Sequence, residues 1–257
     1  MCYLNTLLAL LLFCSCNQTI GKGQIVAKEP AAKSAPADSA INFAAYNIKV
    51  QPEGTYAVNC ASIKRERTAL LSLYITGKIK ADSVQHYFTE AILNRVLPHW
   101  YGTTWTFEGH TGKPGEGSIA CGYLVSTSLS QAGLNINRYK VAQQDPYNEA
   151  RTYACGDSVY TLRGLKSVTG TLLQPDFGEG LYFIGLSGSH VGMLLKRGGN
   201  LFFIHSNYVD GKTVIEDAAT SVVLNYYDTF YVTPLSTNAG FIKKWLGNEL
   251  MEVKTAR

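Results

Sequence analysis

Cys121 stands near the front of an apolar, helix-like run that extends from Ser118 to Gly133. A thiol in the first turn of a helix faces the positive end of the peptide dipoles, which favours thiolate over thiol and so favours a nucleophile. Downstream lie His190, in Ser189-His190-Val191-Gly192-Met193-Leu194-Leu195, and His205, in Leu201-Phe202-Phe203-Ile204-His205. A helix-borne thiol followed by two imidazoles on strand-like runs is a residue set suited to nucleophilic catalysis by cysteine. One thiolate and two imidazoles also make a legitimate zinc ligand set. His86, His99 and His110 fall on a helix, at a helix exit and in a glycine-rich loop, with no partner that spacing identifies. The loop Gly112-Lys113-Pro114-Gly115-Glu116-Gly117-Ser118 lacks the Gly-Lys-Ser/Thr ending of a phosphate loop and has no clear strand before it. It reads as the flexible approach to the nucleophile helix, with Ser118 as N-cap. Asn207 and Asp210, just after His205, read first as turn residues, with orienting the histidine or shaping the pocket as the alternative.

The elements that must bring these groups together are legible in outline. Residues 62–97 carry helical periodicity in two runs. Ala69, Leu70, Leu71, Leu73 and Ile75 form the first apolar side, Gly77 interrupts, Asp82-Ser83 offers a cap, and the second run ends at Pro98. The cluster Lys64-Arg65-Glu66-Arg67 reads as a solvated face, because alternating charge on a helix usually means exposure. Beyond the cysteine helix a short helix is expected at 148–153. Strands follow at 181–186, 190–196, 201–205, 213–215 and 229–232, each β-rich and bounded by Gly or Asn. Arg197-Gly198-Gly199-Asn200 is a hairpin signal. A helix followed by an antiparallel meander implies an α+β fold.

Composition bounds the function. At 257 residues, 46% hydrophobic and 16% charged, the chain is able to bury one good-sized core with a helical appendage. The net charge of +4 is mild and the basic residues are scattered, which argues against nucleic acid as a partner. The apolar segment Leu7–Phe13 is too short to span a bilayer but suits the core of an export signal. Leu12-Phe13-Cys14-Ser15-Cys16 resembles a bacterial lipoprotein box, with Cys16 as the lipidated residue. Residues 17–40, rich in Lys, Ala, Pro and Ser, read as a tether. The expected product is an exported lipoprotein of the bacterial cell envelope, anchored to the membrane by lipid. Its expected parts are a signal (1–16), a tether (17–40), a helical region (41–98), a catalytic domain (99–235) and a C-terminal helix or tail (236–257). Cys60 and Cys155 are either a disulfide or two free thiols, which sequence does not decide.

The order and context of these residues are similar to the NlpC/P60 superfamily of papain-like cysteine peptidases and amidases. Its members carry a Tyr ahead of the nucleophile, then Asp-Cys-Ser-Gly, a His-Val-Gly segment and a second His closing a Phe-x-His element. Here Tyr101, Cys121, His190 in His190-Val191-Gly192 and His205 in Phe203-Ile204-His205 occupy those places. The likeness covers roughly residues 100–208 and implies a papain-like α+β domain, a nucleophile helix packed on a small antiparallel sheet, with an N-terminal helical extension. It further implies a cysteine hydrolase that cleaves an amide bond in a peptide or peptidoglycan fragment through an acyl-thioester, with no cofactor or metal. In those roles His190 takes the thiol proton and His205 accepts the other imidazole N–H. The N–H of Cys121 and the Tyr101 hydroxyl face the oxyanion. One departure stands out: Ala120-Cys121-Gly122-Tyr123 replaces Asp-Cys-Ser-Gly, removing the acid and the hydroxyl beside the thiol and questioning a murein substrate. The competing readings are a non-catalytic envelope-binding module of the same fold, or the Cys/His2 zinc site.

Overall fold

The computed structural model describes residues 41–256. The export segment, the tether and Cys16 therefore lie outside the described residues. The strands are β1 (Tyr160–Arg163), β2 (Gly180–Leu186), β3 (His190–Arg197), β4 (Asn200–Asn207), β5 (Lys212–Asp217) and β6 (Thr229–Pro234). They form one sheet in the order β1-β6-β2-β3-β4-β5, with every pairing antiparallel. The α-helices among the described residues are α1 (Tyr56–Ile75), α2 (Ala81–Ala91), α3 (Cys121–Gln131), α4 (Arg138–Ala142), α5 (Pro146–Tyr153), α6 (Leu165–Leu172), α7 (Val222–Tyr226) and α8 (Ala239–Gly247). The fold is α+β.

β2 is buried along its whole length, and β3 along all of it but Arg197, which is why both are apolar on both sides. Val191, Met193, Leu195, Phe202 and Ile204 face the larger layer with α3 and the N-terminal helices, whereas Leu194, Phe203, Tyr182 and Ile184 face α6 and α7. The β3–β4 turn is a two-residue hairpin in which Gly198 and Gly199 both take positive φ, 57° and 74°, the backbone that glycine adopts at least cost.

α1 starts one and a half turns earlier than periodicity implied, because Thr55 caps it by accepting the Val58 N–H. α2 starts after Lys80 with no side-chain cap, and Asp82 lies in its first turn. The chain then widens into a π-helical turn at Ile92–Val96 and closes with a 3-10 turn at Leu97–His99 that contains Pro98. The charged cluster on α1 is not a uniform solvated face. Arg67 is buried, and its guanidinium donates to the carbonyls of Gly133 and Trp245 and to Asn248 Oδ1. Glu66 instead pairs with Arg95 at 2.8 Å. Helix periodicity shows where a charge lies on its own helix, not what the rest of the chain brings over it.

The short elements β1, α4, α6 and α7 have no sequence counterpart above. β1 is a four-residue, mostly exposed edge strand, paired to β6 from Tyr160–Val232 to Arg163–Thr229. Cys60 and Cys155 are both free thiols.

Candidate active site

The sheet opens at one end. β3 stays paired with β2 as far as Leu186–His190, and β4 stays paired with β5 as far as Asn207–Lys212, but β3 and β4 pair with each other only from Met193–Ile204 to Arg197–Asn200. The chain entering α3 lies between the two strands beyond that point. On the β4 side Ser206 Oγ donates to the Ile119 carbonyl at 2.8 Å. On the β3 side the Cys121 thiol donates to the Ser189 carbonyl at 3.8 Å, and the Val191 N–H is aimed at the sulfur. The nucleophile candidate thus rests against the backbone on both flanks of His190.

Strand alternation puts His190 and His205 on the face of Leu194 and Phe203, opposite the layer that contains α3. The sulfur reaches the backbone beside His190 through the opening in the sheet instead of facing the imidazoles across it. His190 Nε2 lies 2.9 Å from His205 Nδ1, the two rings edge to face, and both residues are buried. His205 stacks on Phe203 with centroids 3.9 Å apart. Gly192 makes this possible: a Cβ there would come within 2.6 Å of Phe203 Cε2 and 2.8 Å of the Ile204 carbonyl. Among the described residues the thiol's hydrogen-bond partner is the Ser189 carbonyl, and the His190 nitrogen left over from its bond to His205 is Nδ1.

The relay continues past the two histidines. His205 Nε2 lies 3.0 Å from Glu216 Oε1 and 3.2 Å from Asn207 Nδ2, and Ser221 Oγ donates to Glu216 Oε1 at 2.5 Å. Asn207 is locked in turn by Asp210, donating to its carboxylate at 3.0 Å and accepting its backbone N–H at 2.9 Å. Asn207 therefore does more than shape a turn. Glu216 escaped sequence reading because an acid on an edge strand defaults to solvent.

Burial governs the electrostatics. It drives the His190 imidazole well below its usual range, with His205 adding to the shift, and takes His205 down to about 3, so both rings are neutral near pH 7. Burial also pushes the Cys121 thiol up to about 11. The N–H groups of Val191, Gly122 and Cys121 pull it the other way, and Glu149 adds to the rise. The expected gain from the helix start exists, but desolvation outweighs it.

Glu149 is a further residue the sequence did not single out. It is buried on α5, its Oε2 has no hydrogen-bond partner, and burial raises its carboxyl well above the usual range. Its Oε1 and the Ala142 carbonyl lie 3.0 and 3.1 Å from where a Cβ on residue 122 would be. Glycine at 122, where the resemblance leads one to expect serine, thus has a packing reason: Ala142 of α4 and Glu149 of α5 fill that place. Ser118 does not cap the helix. The N-cap is Ala120, without a side-chain bond, and Ser118 Oγ pairs with Thr106 Oγ1 at 2.7 Å. Tyr101 lies beside β5, where the next residue, Gly102, donates its N–H to the Thr213 carbonyl. Its hydroxyl is buried without a hydrogen-bond partner. His110 packs against Tyr123 and Tyr139, and His99 Nε2 lies 3.1 Å from Asn59 Nδ2.

Cys121, His190 and His205 do not bring their ligand atoms together as a zinc cage would. Among the described residues the ligand atoms that do converge belong to His205, Asp210 and Glu216, within 4.8 Å of one another. Yet the Asn207 NH2 points at the same His205 nitrogen and would oppose a cation there. No protein-family model, curated protein or solved structure matches the chain.

Proposed function

We propose that the chain is a papain-like cysteine hydrolase of the NlpC/P60 type that cleaves an amide bond in a cell-envelope peptide of the peptidoglycan kind. The observation that carries this reading is the thiol lodged against both backbone neighbours of an imidazole whose far nitrogen is bonded to a second imidazole at 2.9 Å. In the first half-reaction the Cys121 thiol gives its proton to His190 and the sulfur attacks the carbonyl carbon. The tetrahedral oxyanion forms against the Cys121 N–H and the Tyr101 hydroxyl, an otherwise orphaned donor. The C–N bond breaks as the imidazolium protonates the leaving amine, leaving an acyl-thioester. Water, giving its proton to His190, then attacks that thioester. The C–S bond breaks, and carboxylic acid and thiol are released. No cofactor enters these steps.

The reading extends to cellular place. An exported chain held to the envelope by a lipid on Cys16 would meet such peptides and no nucleic acid. The test is product mass after incubation with purified murein, γ-glutamyl amides and N-acyl amides. Turnover is expected to vanish in Cys121→Ala and after thiol alkylation, and to survive chelation. Activity in Cys121→Ala, or loss with chelator alone, rejects the thiol mechanism.

A further inference from the structure

We propose that Glu216 is a positioning residue: by accepting the Nε2–H of His205 it fixes the tautomers of both imidazoles so that Nδ1 of His190 is left as a bare, basic nitrogen. This rests on the cysteine hydrolase reading for its catalytic meaning, though not for its structural content.

The argument is a count of protons. Each buried neutral imidazole has one N–H and one lone pair. A single proton lies between His190 Nε2 and His205 Nδ1, 2.9 Å apart. When His205 Nε2–H donates to Glu216, His205 Nδ1 is bare, His190 Nε2–H donates to it, and His190 Nδ1 is free to take a proton from a thiol. When His205 Nε2 instead accepts, every tautomer reverses and His190 Nδ1 carries a hydrogen, which makes it useless as a base. The same His205 nitrogen faces a partner for each arrangement: Glu216 Oε1 at 3.0 Å, an acceptor when ionised, and Asn207 Nδ2 at 3.2 Å, a donor.

The charge on Glu216 decides between them. A hydrogen bond to a carboxylate is roughly twice as strong as one between neutral groups, so ionised Glu216 prevails over the Asn207 amide. Ser221 Oγ, donating to Oε1 at 2.5 Å from the residue before α7, favours the ionised form. Burial opposes it, and the Asp210 carboxylate at the β4–β5 turn lies within 4.8 Å. From β4 the facing groups are His205 and Asn207. Burial raises the Glu216 carboxyl above its usual value. Acidification therefore protonates Glu216 and switches the relay while both rings are still neutral.

Nitrogen NMR of the histidine-labelled full chain reads the tautomers without any substrate. His190 Nδ1 is expected to be of the bare, pyridine type near pH 7 and to become N–H as acid protonates Glu216. In Glu216→Gln it should be N–H at neutral pH, and Glu216→Asp should restore part of the bare form. With a cleaved peptide in hand, kcat of Glu216→Gln should fall on the order of 100-fold with KM within about twofold and with the acid limb of its pH profile lost. An Nδ1 that is protonated in the native chain near pH 7, or an unchanged tautomer on acidification, overturns the proposal, and the native chain alone answers if the variants do not fold. A tautomer switch without turnover rejects the hydrolase and leaves Glu216's role standing.

Discussion

Burial lifts the Cys121 thiol to about 11 even though three backbone N–H groups face the sulfur. With that value only about one molecule in 10⁴ carries a thiolate at pH 7, so in the proposed hydrolase the proton would leave as attack occurs. In the proposed mechanism the acceptor is the bare nitrogen of His190. Glu149 behind the helix start contributes to the same rise. Alkylation of Cys121 by iodoacetamide, followed by intact mass against pH, should be slow at neutrality and climb towards a midpoint near 11. Glu149→Gln removes a carboxyl whose charge, once ionised in the alkaline range, opposes the thiolate, and should move that midpoint downward. A native midpoint near 8.5, the value for a free thiol, would show that desolvation does not dominate this site, and one well below it would show the helix dipole prevailing.

At the scale of elements, the opening between β3 and β4 is what converts two secondary-structure faces into one site. α3 belongs to one side of the sheet and the imidazoles to the other, and only a gap in the hydrogen-bonded ladder lets the sulfur reach the backbone beside His190. Just before that gap, at Gly192, β4 passes too close for a side chain. Gly192→Ala should destabilise by about 1–3 kcal/mol through overpacking, seen as a lower urea midpoint. It should also weaken the ring contact that holds His205. A midpoint equal to the native one would show that β4 has room to move. The cysteine helix and the β3–β4 hairpin were legible in sequence because an apolar run, alternation and a Gly-Gly turn are local signals. The wedge, Glu149 behind the nucleophile and Glu216 beyond His205 were not. Each depends on which distant segment covers a residue, and an acid on a short helix or an edge strand has the local pattern of an exposed one.

For the molecule as a whole, the question is whether the helices before the nucleophile form an appendage or part of the core. Phe88 of α2 has no exposed surface and packs edge to face on Phe241 and Trp245 of α8, with centroids 5.5 and 5.1 Å apart. Trp245 donates its indole N–H to the Ala132 carbonyl just after α3, and Arg67 ties α1 to the same place through Gly133 and Asn248. The N-terminal helices therefore brace the far end of the helix whose other end holds Cys121, with α8 as the intermediary. A core so shared should unfold in one step. Phe88→Ala should cost about 3–5 kcal/mol and lower the melting temperature by roughly 10 °C as a single transition seen alike by far-UV and near-UV circular dichroism. An early, separate transition with the main one unmoved would instead identify residues 56–99 as an independently melting unit, and the bracing of α3 through α8 would then have no part in holding the thiol at the opening of the sheet.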